Sequence, residues 1–294
     1  MKLSILIAVY NEECFIAECL DSIFECDGLD YEVVVIDDFS EDSTLAKLKD
    51  YIAVSGVENL IVGSNDRKGK NNAFNKAYSL ASGNVFCFVG GDDRVQPCTL
   101  KGRAQLLENI PGAAVSLCKI KTFSDDPKLD GLIYPKKAGV GALAGGAMLF
   151  NRAFAEIVFP LPPTLPNEDT WLKLAIRYFH VEVYHYPYIS YFYRQHSNNS
   201  VKLSGDFLEF SSIIAKRNHA LFLFKDRFSD VLESDSLQGV DSEIELEDFR
   251  ANGKAVSIFF MKGVSFREKL SAILLCNSFL YSIRVLFYRV LAGK

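Results

Sequence analysis

The sequence predicts an α/β fold, because its first hundred residues alternate apolar runs with segments of helical periodicity. Runs rich in β-branched residues have the composition of strands covered on both faces, and they lie at 3–9, 31–36, 60–62 and 85–89. Helical segments follow the first three runs, at 12–24, 43–52 and 71–81. This alternation predicts a parallel sheet with right-handed crossovers. Ligands of such sheets bind beyond the carboxyl ends of the strands, so the polar residues that follow each run are the functional candidates.

The rest of the chain is less regular. The pattern predicts a strand at 113–122, a loop at 128–140, a segment at 145–150 leading into a short helix from Arg152, a helix at 168–178, and one or two strands at 181–193. From Gly205 the pattern is helical, with an acidic stretch at 226–248 before a basic, apolar tail from Ala251. We therefore expect two parts, 1–204 and 205–294, with the first divided into halves at 1–112 and 113–204.

Composition excludes several classes of protein. A chain of 294 residues that is 49% hydrophobic is long enough to bury a large core. A net charge of -5 argues against a nucleic acid as partner. The seven cysteines form no C-x-x-C pair, and no signal peptide is evident, so we expect reduced thiols and a cytoplasmic location. No apolar run reaches about 18 residues, so we predict no transmembrane helix.

Four polar clusters follow predicted strands or open predicted helices. They are AVYNE at 8–12, DDFSEDS at 37–43, GGDDR at 90–94 and NED at 167–169. Paired acids after glycines suit Mg²⁺ or Mn²⁺ bound together with substrate phosphates, although an Asp-rich turn has the same composition. An acid after a strand can cap a helix or accept from a nucleobase or ribose, and an acid at a helix start can complement the dipole or act as a general base.

The order and spacing of five motifs resemble the family 2 glycosyltransferases of the GT-A fold. The motifs are SILIAVYNEE, VVVIDDFSEDST, AFNKAYSLASGNVFCFVGGDD, GGAMLF and NEDTWL, and they cover roughly residues 1–200. The resemblance implies a Rossmann-like mixed sheet flanked by helices, with a nucleotide-binding half at 1–112, an acceptor half at 113–204 and a helical C-terminal appendage.

The resemblance also implies a role for each cluster. The nucleotide would be bound by Ala8, Tyr10, Glu12, Asp38, Lys70 and Asp92. A divalent metal, Mn²⁺ or Mg²⁺, would be held by Asp93 and His196, the latter in the segment RQHS. Gly145, Gly146 and Glu168 would line the acceptor side, and Arg194 would meet the diphosphate. Asp169 would be the catalytic base.

Three positions depart from the family pattern. Phe39 stands where a small residue is usual after the paired acids, which puts the shape of that loop in doubt. Phe74 precedes Asn75 where Arg is frequent, so a phosphate contact is either missing or supplied by Lys70. Gly91 stands where the metal motif often has a first acid, which leaves Asp92 and Asp93 to supply the carboxylates.

The implied function is inverting transfer of a sugar from a UDP- or dTDP-linked donor to an acceptor hydroxyl. Bacterial members that resemble this chain build O-antigen, capsule or exopolysaccharide on lipid-linked intermediates. Two alternatives are a nucleotidyltransferase that makes the sugar nucleotide and an inactive protein that binds it. The first needs a Gly-rich, Arg-containing loop where this chain has AVYNEE, and the second predicts loss of Asp93 or Asp169, both of which are present. A dinucleotide-dependent oxidoreductase is excluded because G-x-G-x-x-G is absent after the first strand.

The tail from residue 251 carries seven basic residues and one acid, Glu268. Projected on one helix, Arg267, Ser271, Ser278, Ser282 and Arg289 share a face, with aliphatic and aromatic residues broadly opposite. A basic helix of this kind suits peripheral contact with an anionic membrane, here the cytoplasmic face of the inner membrane. The alternative is that it packs on the catalytic domain or on a second subunit in a homodimer.

Overall fold

The computed structural model describes residues 1–196 and 206–291, with side chains up to residue 286. The chain divides into two compact units, Met1–Asn199 and Ser200–Lys294. The boundary expected between residues 204 and 205, and Ser197 of the RQHS segment, lie outside the described residues.

Nine strands of the described chain form one mixed sheet. They are β1 Lys2–Val9, β2 Asp30–Asp37, β3 Leu60–Ser64, β4 Val85–Gly90, β5 Arg94–Val95, β6 Ala114–Phe123, β7 Ile133–Tyr134, β8 Met148–Asn151 and β9 Glu182–Arg194. The order is β3-β2-β1-β4-β8-β6-β9-β5, with β7 paired to β6. The strands β1 to β4 are parallel as expected, whereas β8 runs antiparallel to both of its neighbours. The parallel arrangement predicted for the first hundred residues and the mixed sheet predicted for the whole fold are both confirmed.

Six helices flank this sheet. They are α1 Ile16–Phe24, α2 Thr44–Ser55, α3 Lys70–Leu80, α4 Pro97–Gln105, α5 Arg152–Val158 and α6 Asp169–Tyr178, and a single 3₁₀ turn at Gly145–Ala147 precedes β8. Alternate residues of β1 explain the packing, because Leu3, Ile5 and Ile7 share one apolar cluster with Ile16 and Leu20 of α1. Helices thereby cover the apolar face of the sheet, and the polar residues that follow the strands lie at its edge.

Several local elements differ from the sequence prediction. The first helix begins at Ile16 instead of residue 12, because Asn11 has a positive φ of 57° and the amides of Phe15 and Ile16 close a turn on the Glu12 carbonyl. The segment 128–140 is not all loop, since Ile133 and Lys121 pair within β7 and β6. No prediction covered β5 or α4.

The C-terminal unit contains five helices in its described part. They are α7 Phe207–Phe228, α8 Ser234–Ala251, α9 Ala255–Phe260, α10 Phe266–Ile273 and α11 Ser278–Leu291. Ile258, Ala272 and Cys276 form a small core, and a buried ion pair joins Arg250 to Glu247 at 2.6 Å. Projection of the tail on one continuous helix is wrong, because the chain bends by 114° between α10 and α11.

Among the described residues, no single helix has the length and apolar composition needed to cross a membrane, and one bent pair, Phe266–Ile273 with Ser278–Leu286, meets that test jointly.

Candidate active site

The predicted clusters meet at the carboxyl ends of the parallel strands. Ala8 near the end of β1 pairs with Ile36 of β2 and with Gly90 of β4, so the segments that follow these three strands share one edge of the sheet. The helices α3 and α6 begin near the same edge, because Lys70 at the start of α3 contacts Glu168, the residue before α6.

The AVYNE cluster is tied to the loop after β2. The Asn11 amide donates to Ser40 Oγ at 2.9 Å, and its side-chain oxygen accepts from the Glu41 amide at 2.8 Å. The amide of Glu12 donates to Thr44 Oγ1 at 2.7 Å. Tyr10 remains exposed, and Lys68 Nζ lies 4.2 Å from its ring centroid. The two loops thus form one platform that presents an aromatic ring and a cation.

Asp38 is buried and holds the approach to α3. Its Oδ1 accepts from the Gly69 amide at 2.8 Å and from Asn65 Nδ2 at 2.7 Å. Asp37 Oδ2 accepts from the Ser40 amide at 3.2 Å, while its buried Oδ1 has no hydrogen-bond partner in the described part of the chain. Phe39 adopts a positive φ of 64° and is exposed. The contacts of Asp38 position the loop that delivers Lys70, and its nucleotide contact stays a prediction.

The carboxylate of Asp93 is the most constrained of the GGDDR cluster. Its Oδ2 accepts from the Tyr191 hydroxyl at 2.5 Å and its Oδ1 from the Arg194 amide at 2.8 Å. Burial, with a smaller effect of neighbouring Asp92, raises the pKa of Asp93 to about 7. Burial and then the charges of Asp92 and Asp93 raise the pKa of Glu12 to about 8. This part of the site therefore concentrates negative charge.

The donors of this cluster suit a hard divalent cation. His196, a predicted metal ligand, lies with its Nε2 3.1 Å from Oδ2 of Asp92, the neighbour of the other predicted ligand, Asp93. Among the described residues, no three His, Cys, Asp or Glu side chains are grouped so that they could hold a metal ion by themselves. Carboxylate and imidazole ligands with open positions fit a cation that also takes substrate oxygens. Such a cation would favour the ionised forms of Glu12 and Asp93, which the protein alone disfavours.

Arg194 is engaged with the protein itself. Its Nε donates to the Asp92 carbonyl at 2.7 Å, and its guanidinium pairs with Glu18 and packs 4.3 Å from the Phe123 ring centroid. Glu18 also pairs with Arg94. These contacts stabilise the turn that carries the paired acids, and the diphosphate contact of Arg194 stays a prediction.

Glu168 and Asp169 occupy different environments at the start of α6. Asp169 is partly exposed, and its Oδ1 accepts from the Gly145 amide at 2.6 Å. Glu168 is buried and pairs with Lys70 Nζ at 3.1 Å. Burial would lower the pKa of Lys70, but the charges of Glu168 and then Asp169 raise it above its usual value. The predicted base is thus the more accessible carboxylate, beside a neutralised neighbour.

Neighbouring side chains approach the two predicted acceptor-side glycines too closely for a Cβ to fit at either position. A Cβ on Gly145 would lie 2.4 Å from Glu168 Oε1, and a Cβ on Gly146 would lie 2.4 Å from the Tyr191 ring. Tyr191 was missed by sequence reasoning, as were Glu18 and Arg94 as partners of the acidic turn. Tyr191 lies in the aromatic strand EVYHYPYISYFYR and 98 residues from Asp93, so no local signal distinguishes it.

Comparisons with known proteins identify the family and the fold of this chain. The sequence model of Glycosyl transferase family 2 matches residues 4–153. Poly(ribitol-phosphate) beta-N-acetylglucosaminyltransferase TarS from Staphylococcus aureus is 33% identical over 197 residues, which cover 62% of this chain and 30% of that protein. The chain spans between 15% and 38% of the length of four curated relatives that it matches.

Two solved structures share the architecture. Residues 1–349 of S. aureus TarS, in complex with UDP-GlcNAc, match with a TM-score of 0.59 at 19% identity, covering 96% of this chain and 83% of that one. The mannosyltransferase PcManGT from Pyrobaculum calidifontis, in complex with GDP-Man and Mn²⁺, matches with a TM-score of 0.57 at 17% identity, covering 99% and 80%. At these identities the likeness concerns the fold.

Proposed function

This chain belongs to glycosyl transferase family 2 and has the GT-A fold, and on that premise we propose that it is an inverting glycosyltransferase. The reaction would move a sugar from a nucleoside diphosphate to an acceptor hydroxyl. The observation that carries the proposal is the Lys70–Glu168 ion pair of 3.1 Å, which joins the strand-end loops to the start of α6 beside Asp169.

Asp169 is proposed as the general base. Its Oδ1 is held by the Gly145 amide, which orients the carboxylate at a rigid helix start, and it is partly exposed to an incoming hydroxyl. As the acceptor oxygen attacks the anomeric carbon, the proton passes to the Asp169 carboxylate and the bond to the diphosphate breaks. One displacement from the opposite face inverts the anomeric configuration, so an α-linked donor gives a β-linked product.

The nucleotide is proposed to lie across the ends of β1, β2 and β4. Tyr10 offers an exposed ring to the base, next to Ala8, and Asp38 stands at the end of β2 for contact with the nucleoside. The complex of TarS with UDP-GlcNAc supports a UDP-linked donor, with dTDP as the alternative of the same pyrimidine class. Lys70 and Arg194 are the cations proposed to face the diphosphate, with Glu12 and Asp92 bounding its site.

Mn²⁺ or Mg²⁺ is proposed as the cofactor, held by Asp93 and His196, with Asp92 hydrogen-bonded to the His196 ring. The Mn²⁺ complex of PcManGT, which shares the fold, supports a divalent cation as cofactor. A divalent cation bound there would neutralise the charge that develops on the leaving diphosphate. Tyr191 and the Arg194 amide keep the Asp93 carboxylate in place through its two oxygens.

The acceptor is proposed to be a saccharide, free or lipid-linked, in the synthesis of a bacterial surface polysaccharide such as O-antigen, capsule or exopolysaccharide. Gly145, Gly146 and Glu168 would bound its site. The name of TarS, a transferase acting on poly(ribitol-phosphate), supports a surface polymer. The proposed location is the cytoplasmic face of the inner membrane. The two parts of the chain are proposed to be a catalytic domain at 1–204 and a helical region at 205–294.

The test is a donor screen with the full chain. Binding of UDP- and dTDP-linked sugars is followed by calorimetry in Mn²⁺, and transfer or hydrolysis is followed by NMR. We expect one pyrimidine donor to bind and its product to show the inverted anomeric coupling constant. Absence of binding by every nucleotide sugar would reject the proposal, and a retained configuration would reject the single displacement.

A further inference from the structure

The C-terminal unit exposes an apolar surface on two of its short helices. Val256, Phe259 and Phe260 of α9 are 72%, 58% and 73% exposed, and Phe266 and Leu270 of α10 are 72% and 46% exposed. We call these five residues the α9–α10 surface. Contiguous exposed apolar groups of this size mark an interaction site in a folded protein.

The packing of α9 leaves these side chains outward. Ile258 faces the small core with Ala272, and Ala255 packs against the same cluster. Val256, Phe259 and Phe260 stand at positions i, i+3 and i+4, so they share the opposite side of the helix. A helix that faced only water would carry polar residues on that side.

Hydrogen bonds from Lys269 join the two parts of the surface. Its Nζ donates to the Phe259 carbonyl at 3.2 Å and also to the Met261 carbonyl, which holds the C-terminal end of α9 against α10. Phe266 lies one turn before Leu270, and Lys269 lies between them in sequence. These hydrogen bonds therefore fix the end of α9, which carries Phe259 and Phe260, beside α10, which carries Phe266 and Leu270.

The charges of α9, of α10 and of the segment between them are almost all positive, whereas α8, which packs beside both helices, carries the exposed acids Asp241, Glu245 and Asp248. Lys254, Lys262 and Arg267 are exposed, and residues 251–294 hold seven basic residues against one acid. That acid, Glu268, is committed to the start of α10, where it accepts from the Ser265 amide at 3.0 Å. Lysine is depleted in protein–protein interfaces, whereas aromatic rings flanked by lysines suit the boundary between lipid headgroups and acyl chains.

We propose that the α9–α10 surface docks on an anionic lipid bilayer, with the phenylalanine rings at the acyl boundary and the flanking cations on the headgroups. The inference deepens the proposed function and rests on it for its purpose, since a lipid-linked acceptor lies at such a surface. It replaces the continuous amphipathic helix expected over residues 267–289 with a surface centred on α9 and the start of α10.

The test is co-sedimentation of the full chain with vesicles, without any nucleotide sugar. Wild-type protein should bind vesicles of phosphatidylglycerol and phosphatidylethanolamine, bind vesicles of phosphatidylcholine much less, and lose binding as salt rises. The double variant Phe259→Ser/Phe260→Ser should bind roughly tenfold or more weakly. A matched control is Phe222→Ser on α7, which removes another exposed ring of the same unit and should leave binding unchanged.

A second variant tests the charges separately. Lys254→Glu/Lys262→Glu keeps every ring and should lower affinity for the anionic vesicles by about tenfold or more. Equal binding of wild-type and both variants would overturn the proposal, as would failure of the wild type to bind anionic vesicles.

A second copy of the chain is the competing occupant. If light scattering shows a dimer that Phe259→Ser/Phe260→Ser converts to monomers, and vesicles bind neither form, the surface is a protein interface and the proposal fails. Transfer to a water-soluble acceptor should be the same in wild type and in the phenylalanine variant. Loss of vesicle binding with intact transfer therefore separates this proposal from the proposed catalytic function.

Discussion

Carboxyl groups at the two ends of the parallel strands have pKa values shifted in opposite directions. At the amino ends, Glu32 of β2 pairs with Lys2 at 2.7 Å and accepts from Ser4 and Ser82. Burial alone would raise the pKa of Glu32, but these donors lower it to about 2. At the carboxyl ends, burial raises the pKa of Glu12 to about 8 and that of Asp93 to about 7.

The difference shows at which end of the sheet the chain itself supplies all the partners of a buried carboxylate. The amino end supplies every donor that its carboxylate needs from within the chain, so its network stabilises the fold. The carboxyl end gathers acids whose charge is balanced only in part by the chain, so it is prepared for positive charge from outside. Asp169 belongs to neither group. Its neighbour Glu168 is balanced by an ion pair with Lys70, as Glu32 is balanced by Lys2, but Asp169 lies at the start of α6 near the carboxyl ends of the strands.

The largest effect is expected at the proposed base. Asp169→Asn should lower the rate of transfer by about 10²–10⁴-fold, because the amide cannot accept the hydroxyl proton. Donor binding, measured by calorimetry, should stay within a factor of two or so, since Oδ1 still accepts from Gly145. Near-normal turnover in this variant would move the role of base to Glu168.

Acid should weaken the amino-end network next. The pKa of Glu32 is lower in the folded chain than its usual value of 4.5, so its stabilisation is present above pH 4.5 and is lost as pH falls toward about 2. Glu32→Gln should lower the free energy of unfolding at neutral pH by about 2–3 kcal/mol. In urea titrations, the free energy of unfolding of Glu32→Gln should fall less steeply as pH decreases than that of the wild type. If the two proteins lost stability in parallel as pH decreased, the assignment would be contradicted.

A smaller loss of stability is expected where Gly146 packs against Tyr191, which contacts Asp93. Gly146→Ala would press a Cβ against the Tyr191 ring, and overpacking of this kind costs about 1–3 kcal/mol. Thermal unfolding should show the loss, together with reduced transfer because Tyr191 holds Asp93. The control is Gly112→Ala, where a Cβ has open space and the melting temperature should hardly change.

The smallest effect is expected from one hydroxyl. Tyr191→Phe removes the donor to Asp93 Oδ2, and should raise the Mn²⁺ concentration for half-maximal binding by about tenfold. Titration of Mn²⁺ by electron paramagnetic resonance measures this without turnover. Tyr184→Phe is the control, because that hydroxyl donates to Glu182 in the same strand, away from the cluster. Equal Mn²⁺ affinity in both variants would remove Tyr191 from the site.

Periodicity was sufficient to predict the parallel half of the sheet and where its polar clusters lie. The strands β1, β2 and β4 are buried apolar runs, whereas β3 at the edge buries only Leu60. The residues after these strands reach the shared edge because parallel strands end together. The second half depends on pairing between distant segments. Ile133 and Tyr134 become a strand only because β6 lies beside them, and nothing in their own sequence specifies it.

The sequence motifs identify the acids of the candidate site but not the residues that contact them. Asp92, Asp93 and Asp169 are evident as motif residues, but the Tyr191 contact spans 98 residues and the Lys70 contact with Glu168 spans 98 as well. Arg194 illustrates the same limit, because its packing on Phe15 and Phe123 is a tertiary property. The tail shows another limit of prediction from sequence. A helical projection assumes a single straight axis, whereas the chain bends by 114° between α10 and α11.

The most direct test of the contrast between the two ends is calorimetric titration of UDP into the full chain, in Mn²⁺ and in chelator. The account predicts binding that needs the metal, that is lost in Asp93→Ala, and that survives in Glu32→Gln at the other end of the strands. If wild-type protein bound UDP equally well in Mn²⁺ and in chelator, or if Asp93→Ala bound UDP as tightly as wild type in Mn²⁺, the account would be contradicted, because the acids at the carboxyl end would then have no part in taking up external positive charge.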